Sequence, residues 1–161
     1  ETENGKPAMV FDGVDDYLVN EALQSAQPST FFFVAELVDD MRLATGTDPA
    51  NRNLTYVNSS NRVAIFAGGF VFGADVSADF GNQTAITSVF NGASSAIYRD
   101  GASYGTGDTG LGDLDGITIG GNYTLTGFNN GNIQEIIIYP SDQSQRRASI
   151  ENQINSYYGI Y

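Results

Sequence analysis

The run Thr30-Phe31-Phe32-Phe33-Val34-Ala35-Glu36-Leu37-Val38 is β-branched and aromatic, without strict alternation of apolar and polar residues. A strand of this composition must be covered on both faces, because both sets of alternate side chains avoid water. That requirement places it deep in a layered structure. Shorter strand-like runs occupy residues 54–57, 62–66, 70–76, 85–90 and 95–99. Between them lie Asn58-Ser59-Ser60-Asn61, Gly68-Gly69 and Asn91-Gly92, and Asp100-Gly101 follows the last. Turn signals at this spacing predict antiparallel meanders, with Asn91-Gly92 the strongest hairpin signal.

Residues 7–11 and 16–20 read as two further strands, joined as a hairpin-like pair through Asp12-Gly13-Val14-Asp15, where Gly supplies a positive φ. Residues 39–53 are polar and broken by Gly46 and Pro49. Residues 103–115 are dominated by glycine and aspartate and read as the most loop-like segment. Strand composition returns at 117–121 and at 132–139, where Ile136-Ile137-Ile138 marks a central, closing strand. Beyond Pro140 the period changes. Ile150, Ile154 and Tyr157 or Tyr158 fall at helical spacing, with Ser141 or Ser144 as N-cap and Gly159 just past the end. The expected class is all-β, an antiparallel two-sheet β-sandwich with one short C-terminal helix. At 161 residues, one domain spanning 1–161 is expected.

Composition removes whole classes of chemistry. With no cysteine and no histidine, disulfides, thiolate or imidazole metal sites, and Ser-His-Asp or Cys-His catalysis are excluded. Nineteen acidic against seven basic residues give a net charge of −12, which repels nucleic-acid phosphates and anionic lipid. No apolar run approaches the length of a membrane span. No nucleic-acid partner and no membrane insertion are therefore expected. Residues 1–6 carry neither a starting Met nor a signal-peptide pattern, so a mature chain or a fragment of a longer one is expected.

Asn4-Gly5-Lys6-Pro7-Ala8-Met9-Val10-Phe11-Asp12-Gly13-Val14-Asp15-Asp16-Tyr17-Leu18 resembles the NGKPAxxFDGxDDYL segment of bacterial and phage laminin-G-like domains, members of the concanavalin A-like jelly-roll group. Downstream, Ile97-Tyr98-Arg99-Asp100-Gly101, residues 117–121, Gly131 through Tyr139 and the helix from Arg147 to Tyr158 are similar to the family's later strands and terminal helix, in the family's order. The resemblance implies a jelly roll used in sugar-binding, adhesive or virion-associated modules, and as the scaffold of some polysaccharide-cleaving enzymes. Some calcium-binding relatives carry Asp where this chain has Gln134.

Asp12, Asp15 and Asp16 have two readings. Clustered carboxylates suit calcium or sugar hydroxyls, and the same residues suit a turn in which Asp caps backbone amides. Calcium is the one ion these carboxylates would suit, and no cofactor is required. For sugar binding the aromatic stack would fall to Tyr104 and Tyr123, with Asp100, Asn122, Asn129 and Asn130 supplying polar contacts. No Glu-x-Asp-x-x-Glu carboxylate array of the glycosidase kind occurs. Arg146-Arg147 reads as solvating the helix. The expectation is a noncatalytic binding module, extracellular or virion-associated. Its partner would be a surface glycan met through loops or a neighbouring virion or surface protein met through a sheet face. The alternatives are a purely structural decoration domain, oligomeric within an assembly, and a carboxylate-dependent polysaccharide hydrolase or lyase.

Overall fold

The computed structural model describes residues 2–161. Its strands are β1 (Thr2–Glu3), β2 (Lys6–Pro7), β3 (Met9–Asp12), β4 (Leu18–Ser25), β5 (Ser29–Glu36), β6 (Arg42–Ala44), β7 (Leu54–Val57), β8 (Arg62–Phe66), β9 (Phe70–Asp75), β10 (Gln83–Phe90), β11 (Ser95–Arg99), β12 (Ala102–Gly107), β13 (Leu114–Ile119) and β14 (Asn130–Tyr139), followed by helix α1 (Arg147–Tyr158). All pairings are antiparallel. One layer is a six-stranded sheet in the order β12-β11-β10-β5-β14-β3. The opposing layer consists of β6-β7-β8-β9 and β13-β4. A Thr45–Thr118 bridge, with reciprocal backbone hydrogen bonds of 2.9 and 2.7 Å, joins these two sheets.

β5 explains the layering. Phe31, Phe33 and Ala35 point into the core between the layers, where they meet Leu43, Val57, Ile65, Phe90 and Ile97. Phe32 and Val34 point the other way, against Ile137, Tyr139, Ile150 and Ile154. Helix α1 thus exists where an apolar sheet face needs a cover. It is anchored electrostatically as well. Glu151, 3% exposed, accepts a 2.7 Å hydrogen bond from the Thr87 hydroxyl of β10 and pairs with Arg147.

Several local expectations are corrected. The strands around Asp12-Gly13-Val14-Asp15 do not form a hairpin: β3 pairs with β14 in one layer and β4 with β13 in the other. The turn carries the chain across the sandwich, because the faces of β3 and β4 bury against different partners. Segment 103–115 is not wholly loop. Asp100-Gly101, with φ of 49° and 78°, makes the tight two-residue hairpin, and the pairing it directs turns residues 102–107 into edge strand β12 despite their glycine content. Asn91-Gly92 instead opens a longer connection that includes a 3₁₀ turn over Gly92–Ser94. The short strand β6 lies within 39–53. Neither Ser141 nor Ser144 caps α1, whose N-cap is Arg146 without a side-chain hydrogen bond, whereas Gly159 closes it at φ 69°. Arg147 is not a solvating residue: its guanidinium lies 3.7 Å from the Tyr98 ring and donates to the Gly101 carbonyl at 3.2 Å.

At one edge the layers touch backbone to backbone. A Cβ on Gly105 of β12 would lie 2.7 Å from the Phe72 carbonyl oxygen of β9. Gly105→Ala therefore forces the two strands apart, and a loss of about 1–3 kcal/mol is expected, read as a lowered denaturation midpoint at unchanged slope. A second expectation concerns Glu151. Burial raises its carboxyl above the ordinary 4.5, with the Thr87 hydroxyl and the Arg147 guanidinium pulling it back down. The folded state then holds the proton more tightly than the unfolded chain, so this group's contribution to stability falls as pH rises through 4.5 toward the folded value. Denaturation of wild type and Glu151→Gln from about pH 4 to about pH 7 should show a stability difference that moves against the wild type over that window. A flat difference would reject the buried carboxylate.

Candidate functional site

Among the described residues no helix covers the outer face of the β6–β9 sheet. Strict alternation along these strands sends Thr55, Val57, Val63, Ile65 and Val71 into the core. The opposite parity brings Leu54, Tyr56, Arg62, Ala64, Phe66, Phe70 and Phe72 to the outside, and a register shift between Arg62 and Ala64 sets the exposed Asp75 opposite Arg62 at the end of β9, the one acidic residue on the outward rows of β7–β9 among the described residues. Register then aligns the rings. Phe66 pairs with Phe70 and Ala64 with both Tyr56 and Phe72. Ring centroids are 4.6 Å apart for Phe66–Phe70, 5.5 Å for Phe70–Phe72 and 6.4 Å for Tyr56–Phe70. Phe70 remains 47% and Phe72 39% exposed.

Arginines flank this ladder at both ends. Arg62 lies 5.0 Å from the Phe72 ring and its Nε donates to the Gly73 carbonyl at 2.6 Å. Arg52 lies 5.0 Å from Phe66 and 4.5 Å from Tyr123, and Nη1 donates to the Pro49 carbonyl at 2.9 Å. Its Nε is buried without an acceptor. Arg42, opposite Tyr56, is bound to Asp40 at 2.9 Å. Arg42, Thr45, Arg52, Leu54, Tyr56, Asn122 and Tyr123 line a cleft of about 220 Å³ at this end of the face. Burial raises the Tyr56 hydroxyl above 10.0, the Arg42 charge working against that and the Asp40 charge with it. The phenol is therefore a neutral donor and acceptor at neutral pH.

The loop that carries Tyr123 is built around Asn122. Its Oδ1 accepts the backbone amides of Thr124 at 3.1 Å and Thr126 at 2.9 Å, and the Thr124 hydroxyl at 2.9 Å. Asn129, fully buried, accepts the Arg42 amide at 2.7 Å and donates to the Arg42 carbonyl at 2.5 Å, which fixes β6 against the start of β14. Asn130 is exposed and pairs with Asp12. Phe128 stacks on Tyr17 at 6.2 Å. The acidic turn and the Tyr123 loop are thus neighbours. In that turn one oxygen each of Asp12, Asp15 and Asp16 lie within 4.8 Å of one another. Asp12 also accepts the Val14 amide at 2.8 Å, and Asp16 accepts the Asp12 amide at 3.2 Å.

Of the sequence-derived ligand residues, the structure brings Asn122 and Tyr123 into the cleft, and Asn129 and Asn130 behind or beside it. Asp100 and Tyr104 lie elsewhere. Tyr104 is on β12, four strand spacings from Asn130 on β14, about 19 Å at the usual separation. Its ring packs on Gly73 and its hydroxyl donates to the Asp75 carbonyl at 3.0 Å. Asp100 accepts the Ala85 amide at 2.9 Å, and burial raises its carboxyl. Both complete the fold's hairpin edge. Gln134, likewise, is turned toward the N-terminal hairpin, donating to the Glu3 carbonyl at 3.0 Å.

Sequence reasoning missed Arg42, Arg52, Arg62, Tyr56 and the outward phenylalanines. A signal existed. Arg62, a charged residue that stays at the surface, fixes the outward parity of residues 62, 64 and 66, and the tight Gly68-Gly69 turn pairs Phe66 with Phe70, which sets Phe70 and Phe72 outward too.

No family model matches the chain, and no curated protein matches it. Solved structures do. A candidate carbohydrate-binding protein from Bacteroides ovatus superposes with a TM-score of 0.65 at 13% identity, covering 90% of this chain and 45% of its own. Domains LG4-5 of the mouse laminin α1 chain give 0.62 at 13%, covering 81% and 41%. The CBM40 of Ruminococcus gnavus IT-sialidase, solved with α2,3 sialyllactose, gives 0.62 at 9%, covering 90% and 97%. The fold is the concanavalin A-like jelly roll. This jelly roll spans less than half the length of the laminin and Bacteroides chains.

Because Asn129 satisfies both backbone groups of Arg42, Asn129→Ala leaves a buried amide and carbonyl unpaired. A loss of about 1–3 kcal/mol is expected, with hydrogen exchange accelerated at the Arg42 amide before that of the β5 amides. Protection unchanged at Arg42 would refute the role.

Proposed function

We propose that the jelly roll is a noncatalytic glycan-binding module, working on the outside of a cell or virion. The observation that carries this reading is the cleft lined by Tyr56, Tyr123 and Arg52, with the exposed Phe70 ring 6.4 Å from that of Tyr56. Sugar rings present apolar faces and polar rims. An aromatic row beside guanidinium and amide donors meets both demands at once. No carboxylate lines the cleft among the described residues, so the paired acid and base of polysaccharide hydrolysis have no place in it. The superposed CBM40 holding a sialylated sugar and the candidate carbohydrate-binding protein from Bacteroides are consistent with this use of the scaffold.

A second reading rests on the same rings. Exposed phenylalanines interleaved with arginine are the composition of protein interfaces, and a neighbouring surface protein would cover them. The acidic turn at Asp12, Asp15 and Asp16 is proposed as the calcium position if the module uses the ion, since oxygen ligands suit it.

Screening on a glycan array, with calcium and with EDTA, tests the reading. Capture of defined glycans is expected, and Tyr123→Ala should weaken it at least tenfold, about 1.4 kcal/mol, while the melting temperature stays near wild type because Tyr123 lies on a surface loop. Concentration-dependent oligomers without capture would transfer the face to protein assembly. Loss of capture in EDTA, reproduced by Asp15→Asn, would assign the ion to the acidic turn.

A further inference from the structure

We propose that this face selects anionic glycans, those bearing carboxylate or sulfate groups, and that Arg52 is the residue that reads the charge. The inference deepens the glycan-binding reading and rests on it. Its starting point is an imbalance. In a chain with nineteen acidic and seven basic residues, most arginines should find a carboxylate. Arg42, Arg99 and Arg147 do. Arg52, Arg62 and Arg146 have no carboxylate within 4.0 Å among the described residues. Arg52 and Arg62 lie on one outer sheet face, where Asp75 stands opposite Arg62 in the register and no carboxylate lines the cleft that holds Arg52.

Arg52 is held for a purpose the fold does not exhaust. Its guanidinium is set between Phe66 and Tyr123, and its one hydrogen bond among the described residues goes to the Pro49 carbonyl. Its Nε has no acceptor although it is buried. A buried donor without a partner is uncommon and costs free energy. Stacking between rings freezes the side chain before any ligand arrives, so little further entropy is lost when an oxyanion binds the free edge. An oxyanion that presents two oxygens side by side, as carboxylate and sulfate both do, is the partner that a guanidinium edge matches best.

Arg62 extends the pattern. Its ring partner Phe72 stands one rung of the register from Phe66, the ring partner of Arg52, two residues or about 7 Å along the strand direction. Two cations at opposite ends of the ladder, over Phe66 and Phe72 with the Phe70 ring between those two, suit a chain of sugars with repeated charges better than a single charged terminus. The molecule's net charge of −12 opposes any polyanion at long range. Within about 8–10 Å at physiological ionic strength, however, screening leaves the local cations in control. The face therefore discriminates by contact rather than by steering.

Isothermal titration of the full chain with polygalacturonate, its carboxyl-reduced form, dextran sulfate and dextran decides the matter. Binding to polygalacturonate at least tenfold tighter than to the reduced polymer, with the difference shrinking as salt is added, is the expected result. Dextran sulfate preferred over dextran, without a response to polygalacturonate, would support the proposal and name sulfate as the group read. Arg52→Gln should erase the preference, and Arg52→Lys should restore part of it. Because the polymer pairs differ only in charge, the comparison holds even if an arginine variant folds poorly. Equal affinity for the charged and neutral member of each pair overturns the charge reading and leaves the module a neutral-glycan binder. Failure to bind any glycan, here and on the array, overturns both.

Discussion

Burial of β5 on both faces is the constraint from which the rest of the molecule follows. Phe31 and Phe33 fill the space between the layers, and Phe32 and Val34 create an apolar outer surface that must be hidden. Helix α1 hides it, and the Glu151–Arg147 pair with Thr87 fixes the helix to β10. The sandwich is thereby asymmetric. One outer face is sealed by the chain's own C-terminus, while the opposite one stays open with an aromatic surface that a purely structural sheet would replace by polar residues.

The open face also resolves a tension in composition. A surface carrying Phe70 and Phe72 in water invites self-association. Arginine lessens the hazard, because Arg62 and Arg52 lie against the rings and shield them without neutralising the acidic molecule as a whole. The same arrangement that protects the rings holds the Arg52 guanidinium at the cleft, over Phe66 and Tyr123. Protection and recognition thus use one set of contacts.

Legibility in the sequence followed the locality of the forces. β7, β8 and β11 begin and end where alternation and turn residues place them, since nearest-neighbour chemistry decides them. β12 was illegible because Ala102, Ser103, Gly105 and Gly107 carry no strand preference, and pairing with β11 through the Asp100-Gly101 turn imposes the conformation. The β3–β4 pairing failed for the opposite reason: the turn is real, with Gly13 at φ 80°, but each strand finds a larger apolar partner in a different layer. For the site, the loop at Asn122 and Tyr123 stood out by composition. Tyr104 and Asp100 stood out equally and are spent on the fold, because a glycine-rich segment looks the same whether it is free or pinned. The arginines were missed because one-dimensional reading counts charge and does not show which cations are left unpaired.

That last point bears on how an acidic jelly roll can hold a ligand at all. With the helix sealing one face and carboxylates crowding the turns, the positive potential needed for an anion has to be concentrated where acids are few. The alternation of β7–β9 confines acids on this face to Asp75 at the end of β9, opposite Arg62, and the remaining outward positions are aromatic, aliphatic, small or arginine. A carboxylate in place of Ala64, which is fully buried and register-paired with both Tyr56 and Phe72, would displace those rings as well as meet Arg62. The identity of the small residues in the outward rows is therefore as much a part of the site as the rings, and a neutral ladder is what keeps the unpaired guanidinium groups available to a partner.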